Sequence, residues 1–110
     1  MKKIGILLAV VLTARLGVVN YNGHTETWYN LPMNKVIENT DEAFGMTGLY
    51  WEREDGCKMY GPWVICAAHP SVTRYSLVET SRGTGIVLDR HTVDNKDLYD
   101  LAVTWEKDEQ

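Results

Sequence analysis

From Ala14 onward the apolar residues fall in short runs separated by turn-forming residues. ARLGVVNY (14–21) leads into Asn22-Gly23 and then HTETWYN (24–30). An Asn-Gly pair between two such runs predicts a β-hairpin with a two-residue turn. Further strand-like runs are LYWE (49–52), KMY (58–60), WVICAA (63–68), YSLVE (75–79), TGIVLDRHTV (84–93) and LYDLAVTW (98–105). A turn at Gly61-Pro62 would set Tyr60 opposite Trp63, Met59 opposite Val64, Lys58 opposite Ile65 and Cys57 opposite Cys66. Directly opposed residues lie about 4.5 to 5.5 Å apart between Cα atoms, within reach of a disulfide. Two buried free thiols are the alternative. Only LPMNKVIENTDEAFG (31–45) suggests a short helix, with Thr40 or Asp41 capping a second turn. Many short strands and little helix predict an all-β domain, a small barrel or sandwich.

The first fourteen residues differ from the rest. Lys2 and Lys3 precede an apolar stretch from Ile4 to Leu12, and Ala14 supplies a small residue for cleavage. The expectation for 1–14 is a signal peptide or N-terminal apolar segment, and for the protein a secreted or cell-envelope location. The stretch is too short to span a bilayer, so no stable membrane insertion is expected. A buried Ile/Leu/Val strand is the competing reading. At 110 residues the chain has room for one domain, expected over 15–110. Its net charge of −4 lacks the basic footprint that supplies phosphate-backbone affinity, so nucleic acid is not an expected partner.

The sequence carries no Walker loop, dinucleotide fingerprint, HExxH motif or CxxC pair, and no cofactor is implied. The GTG at 83–85 reads as a glycine-flanked strand start. Asp89 and Asp100 each sit inside an apolar β-run, where a carboxylate costs desolvation energy unless it is paired or hydrogen-bonded. Such a group, its pKa raised by burial or a like charge, can act as a general acid. Outward-facing strand positions are the plainer reading for both. Simple alternation sets Asp89 on one strand face with Val87 and His91. His69 ends an apolar run before Pro70, and with Asp89 and His91 it forms a minor candidate metal set. His24 reads as a turn residue. Four Trp and six Tyr against one Phe favour residues that bury area while keeping a polar tip.

The stretches ETWYNLPM (26–33), EDGCKMYGPWVICAAHP (54–70), LVETSRGTGIVLDRH (77–91) and LYDLAVTW (98–105) resemble the exported three-aspartate domain of lytic transglycosylases and stationary-phase survival proteins. The resemblance implies a small six-stranded double-psi β-barrel with one or two short helical turns. Asp89 matches the family's second Asp and Asp100 its third, with Asp97 as a competing alignment. His69 stands where the first Asp belongs, and Arg90-His91 where Thr-Gly follows the second. The function implied is cleavage of the MurNAc–GlcNAc β-1,4 bond of the peptidoglycan glycan strand by one Asp acting as acid and then base. Asp89 is the expected acid and Asp100 its charged neighbour. His69, His91, Thr27, Tyr29 and Ser81 are the expected substrate contacts, and no metal is part of the site. The alternative is a non-catalytic cell-wall glycan-binding module, with Trp28, Tyr29 and Trp51 stacking on sugar faces. The sequence specifies no oligomeric state.

Overall fold

The computed structural model describes residues 18–105. The apolar segment expected over 1–14 lies outside the described residues. The domain is all-β with one helix. The strands are β1 (Val19–Tyr21), β2 (His24–Tyr29), β3 (Tyr50–Glu52), β4 (Lys58–Tyr60), β5 (Trp63–Ala68), β6 (Leu77–Thr80), β7 (Gly83–Arg90) and β8 (Leu98–Ala102); α1 (Asn34–Phe44) follows β2. Eight strands are thus described where six were expected. They form one sheet of order β1-β2-β8-β5-β4-β3, with β7 pairing β5 and β6 pairing β7, and the sheet is not closed.

The local turn chemistry acts as the sequence indicates. Asn22 and Gly23 both take positive φ, 52° and 88°, and Tyr21 pairs with His24 across them. Asn and Gly tolerate that conformation, and its twist matches the flanking strands. Gly61 turns the next hairpin, with Tyr60 opposite Trp63 and Met59 opposite Val64 as expected. Beyond Met59 the ladder departs from β5, because Cys57 bridges Val103 instead. Both cysteines are free and buried, so the disulfide expected between Cys57 and Cys66 is not formed.

The helix also differs from expectation. It is a single run of eleven residues rather than one or two short turns, and Thr40 and Asp41 lie inside it. Thr40 Oγ1 donates back to the Val36 carbonyl at 2.8 Å, a local bond that lets a buried Thr sit within a helix. Asp41 accepts from Tyr60 Oη at 2.7 Å, so its side chain ties α1 to β4 rather than capping a turn. Gly45 ends the helix in the left-handed conformation.

Both faces of the sheet are covered. On one, Met33, Tyr60, Ile65, Ile86, Leu88 and Ala102 pack with Tyr29, Phe44 and Tyr75, and α1 lies over them. On the other, Cys57, Met59, Val64, Cys66, Leu101 and Val103 pack with Trp28, Tyr99 and Trp105. This explains why β5 is an unbroken apolar run: both sets of its side chains are inside. Among the described residues no helix is long and apolar enough to cross a membrane.

Candidate functional site

Strand pairing alone sets up the site. Thr27 on β2 is paired with Asp100 on β8, and Asp100 with Ala67 on β5. Ala67 in turn is paired with Asp89 on β7. Residues directly paired across a ladder point to the same face, so these four form a row over four strands. Two carboxylates flank the buried methyl of Ala67. No residue in the row is a neighbour of another in sequence, except through the strand register.

A β-bulge completes the row. The β5–β7 register runs Ile65↔Ile86 and Cys66↔Val87, then shifts so that Ala67 meets Asp89 and Leu88 is the extra residue. Without that shift Asp89 would follow alternation onto the Val87 face. The bulge turns it instead towards Tyr29, whose Oη lies 3.3 Å from Asp89 Oδ2, on the same face as Leu88. The simple alternation expected from the sequence is therefore corrected: Asp89 does not share a face with Val87.

Hydrogen bonds distinguish the two carboxyls. Asp89 Oδ1 accepts from the Arg90 amide at 2.9 Å, while its Oδ2 faces Tyr29. Asp100 Oδ1 accepts from Thr27 Oγ1 at 2.8 Å. Burial pushes the Asp100 carboxyl above the usual range; the Thr27 hydroxyl and His91 oppose this, and the charge of Asp89 reinforces it. Burial and then the charges of Asp89 and Asp100 drive the Tyr29 hydroxyl far above its ordinary value, so Tyr29 remains a hydrogen-bond donor.

Two histidines stand at the same end of the sheet. The His91 amide donates to the Ala68 carbonyl at 3.1 Å, and its Nε2 lies 2.8 Å from the Leu98 carbonyl. A carbonyl only accepts, so the ring hydrogen is on Nε2. The His69 and His91 rings meet edge-on with centroids 6.2 Å apart. His69 Nδ1 is engaged by the Ser71 amide at 3.1 Å and hydroxyl at 2.8 Å. Among the described residues no group of three His, Cys, Asp or Glu side chains is placed to hold a metal ion. His69, Asp89 and His91 are therefore not gathered as a metal set; Asp89 is bonded to Tyr29 and the Arg90 amide, while His91 Nδ1 is buried with no hydrogen-bond partner among the described residues.

The remaining expected residues lie elsewhere. Ser81 is not in the row: its amide and Oγ donate to Glu26 at 2.9 and 2.5 Å. Glu26 points away from Thr27, its neighbour on β2. Asp97 sits in the loop before β8, where its carbonyl accepts from the Thr25 amide at 2.8 Å. Trp28 is partly buried against the opposite core, on the other side of the sheet from the row, with its indole nitrogen buried. Trp51 is 45% exposed, and its indole N–H donates to the Gly61 carbonyl.

Two charged residues were missed. Glu26 is fully buried, and besides Ser81 it is bonded by His24 Nε2 at 2.8 Å. His24 is accordingly a buried strand residue and not a turn residue. The signal for Glu26 was present in HTETWY, since alternation sets it on the face of Trp28. Lys58 is 5% exposed, with its ammonium on the Asn30 side chain and the Leu31 carbonyl. Nothing in KMY marks its lysine as buried. Comparison of the chain with protein-family models, with curated proteins and with solved structures finds no significant match.

Proposed function

We propose that this domain cleaves a glycan by acid–base chemistry at the Asp100–Asp89 pair, in the manner of a lytic transglycosylase acting on peptidoglycan. The observation that carries the reading is the row Thr27–Asp100–Ala67–Asp89, two carboxyls on one face separated only by a methyl group. The peptidoglycan substrate comes from the resemblance of the sequence stretches to the three-aspartate family.

The acid role moves from Asp89 to Asp100. Asp100 is the carboxyl that burial and a charged neighbour favour in its protonated form. Thr27 occupies Oδ1, which leaves the proton to Oδ2. That proton passes to the glycosidic oxygen as the bond to the muramyl anomeric carbon breaks. The carboxylate then accepts the proton of the muramyl 6-hydroxyl, whose oxygen closes the anhydro ring on the same carbon. Asp89 contributes negative charge that stabilises the oxocarbenium-like centre, and the Tyr29 hydroxyl holds its orientation.

The test is mass spectrometry of soluble products from purified peptidoglycan. Anhydro-muramyl products are expected, lost in Asp100→Asn and reduced at least tenfold in Asp89→Asn. Reducing-end products would replace the intramolecular step by hydrolysis. Saturable binding without products, where a known transglycosylase releases them, would establish the glycan-binding module instead. The replacement of the family's first Asp by His69, already tied to Ser71, is the observation favouring that second reading.

A further inference from the structure

A cavity of about 440 Å³ opens between the β1–β2 turn and the loop before β8, and neither Asp100 nor Asp89 lines it. That volume falls within the roughly 300 to 1,000 Å³ typical of small-molecule sites. It adjoins the carboxyl pair. Thr25 in its wall shares a face of β2 with Thr27, one strand period or about 7 Å away, and Thr27 holds Asp100.

One group in the wall is held ready for a ligand. His24 is only 9% exposed, and its Nε2 lies 2.8 Å from Oε2 of the fully buried Glu26. That carboxylate also accepts from the Ser81 amide and hydroxyl, so a distant segment anchors it. A carboxylate only accepts; the ring hydrogen is therefore on Nε2, and Nδ1 carries the lone pair. The Tyr21 and Tyr99 rings meet the imidazole edge-on, with centroids 6.0 and 5.0 Å away, and fix its plane. Among the described residues Nδ1 has no hydrogen-bond partner, yet it is not one of the unpartnered atoms sealed from solvent. Since His24 lines the cavity, the open atom of its ring looks into it. A buried base oriented by a carboxylate and left open at one nitrogen favours a donor from outside.

The rest of the wall specifies what carries that donor. The Asp97 carboxylate has no hydrogen bond or ion pair among the described residues, and it can only accept. Asn20 and Asn95 use their oxygens on Thr25 Oγ1 and the Asp97 amide, at 3.2 and 2.9 Å, which leaves both N–H₂ groups to donate. Tyr21 adds a ring that is 40% exposed. A matching ligand donates at His24 and Asp97, accepts from the two amides and lays an apolar face on the ring. No Lys or Arg lines the wall, so a phosphate or carboxylate would meet Asp97 without a counter-charge. Pyranose hydroxyls donate and accept at once, and the sugar's C–H face suits an aromatic ring. We propose that this cavity binds one pyranose residue of a glycan. One hydroxyl donates to His24 Nδ1 and another to Asp97, while Asn20 and Asn95 donate to sugar oxygens. The site rests on its own groups and does not require the carboxyl pair to cleave.

Titration with triacetylchitotriose, followed by calorimetry and by nitrogen NMR of the histidine rings, tests it. Saturable binding is expected, with a shift of the His24 Nδ1 resonance as the lone pair gains a donor. Asp97→Ala keeps both backbone hydrogen bonds of that exposed residue. It should weaken binding roughly tenfold with Tm unchanged, the effect of losing a hydrogen bond to a charged group. His24→Phe should abolish binding; if that variant fails to fold because Glu26 loses a donor, Asp97→Ala and the His24 resonance decide. No saturation at millimolar sugar, binding that leaves His24 Nδ1 unmoved, or equal binding by Asp97→Ala overturns the proposal. Binding without release of peptidoglycan fragments would retain this site and end the cleavage reading, whereas fragments without the His24 shift would do the reverse.

Discussion

Glu26 offers the sharpest test of how this sheet tolerates buried charge. Its carboxylate is fully buried and accepts three hydrogen bonds: His24 Nε2 at 2.8 Å, the Ser81 amide at 2.9 Å and Ser81 Oγ at 2.5 Å. Glu26→Ala removes the acceptor and strands the three donors. Hydrogen bonds to a charged group contribute about 1.5 to 3 kcal/mol each, but desolvation of the carboxylate offsets part of the sum. A net loss of about 3 to 5 kcal/mol follows, a large share of the roughly 5 to 15 kcal/mol that holds a domain of this size. Tm should fall by roughly 15 °C or more. Glu26→Gln keeps one oxygen: placed at the Oε2 position it still accepts from the Ser81 amide and His24 while the N–H₂ donates to Ser81 Oγ, so only the charge is lost and roughly half the loss is expected. Urea denaturation followed by circular dichroism measures both, with exposed Glu79→Gln as a control expected within about 0.5 kcal/mol of wild type. A loss below about 1 kcal/mol for Glu26→Ala would refute the reasoning. It would mean that the three donors find other acceptors and that Glu26 does not join β2 to the turn after β6.

Further outcomes follow from other parts of the fold. The Asp100 carboxyl is pushed up by burial, so its ionisation opposes folding as pH rises through the folded-state value, while below the unfolded value of about 3.9 the penalty is absent. Asp100→Asn, which keeps an oxygen for Thr27, should therefore be more stable than wild type at pH 7 and no more stable at pH 3; equal differences at both pH values would contradict this. A Cβ on Gly85 would stand 2.6 Å from Cys66 Sγ and 3.2 Å from the Val64 carbonyl. Gly85→Ala should cost about 1 to 3 kcal/mol by overpacking, and an unchanged urea midpoint would show that the β5–β7 contact yields freely. Burial raises both thiols, Cys57 to about 11 and Cys66 further, with nearby carboxylates adding to each. Native protein at pH 8 should thus leave both unreactive towards a thiol reagent and release two equivalents on unfolding; a failure to release two would restore the disulfide.

Much of the secondary structure is dictated locally. Asn22-Gly23 and Gly61-Pro62 specify two turns because their residues accept the required dihedrals, and the register of the first pairs follows by counting. The β-branched and aromatic runs between turns specify strands for the same local reason, and they identify Asp89 and Asp100 as carboxyls in costly positions. What no local rule contains is which strands adjoin. Thr27 meets Asp100, and Asp100 meets Asp89 across Ala67, only because β8 runs parallel to β2 and antiparallel to β5 while β7 lies on β5's other edge. The bulge at Leu88 then reverses the face that alternation assigns to Asp89, a two-strand effect invisible along one strand. Cys57 illustrates the same limit: counting from the turn sets it against Cys66, but the last strand competes for its backbone and Val103 wins. Burial of Glu26 and Lys58 likewise depends on donors and acceptors that arrive from distant segments, Ser81 for one and Asn30 for the other. Sequence determines the elements, because turn dihedrals and side-chain period are short-range. Tertiary structure decides the site, because a carboxylate's partners and its desolvation are set by whatever packs across it.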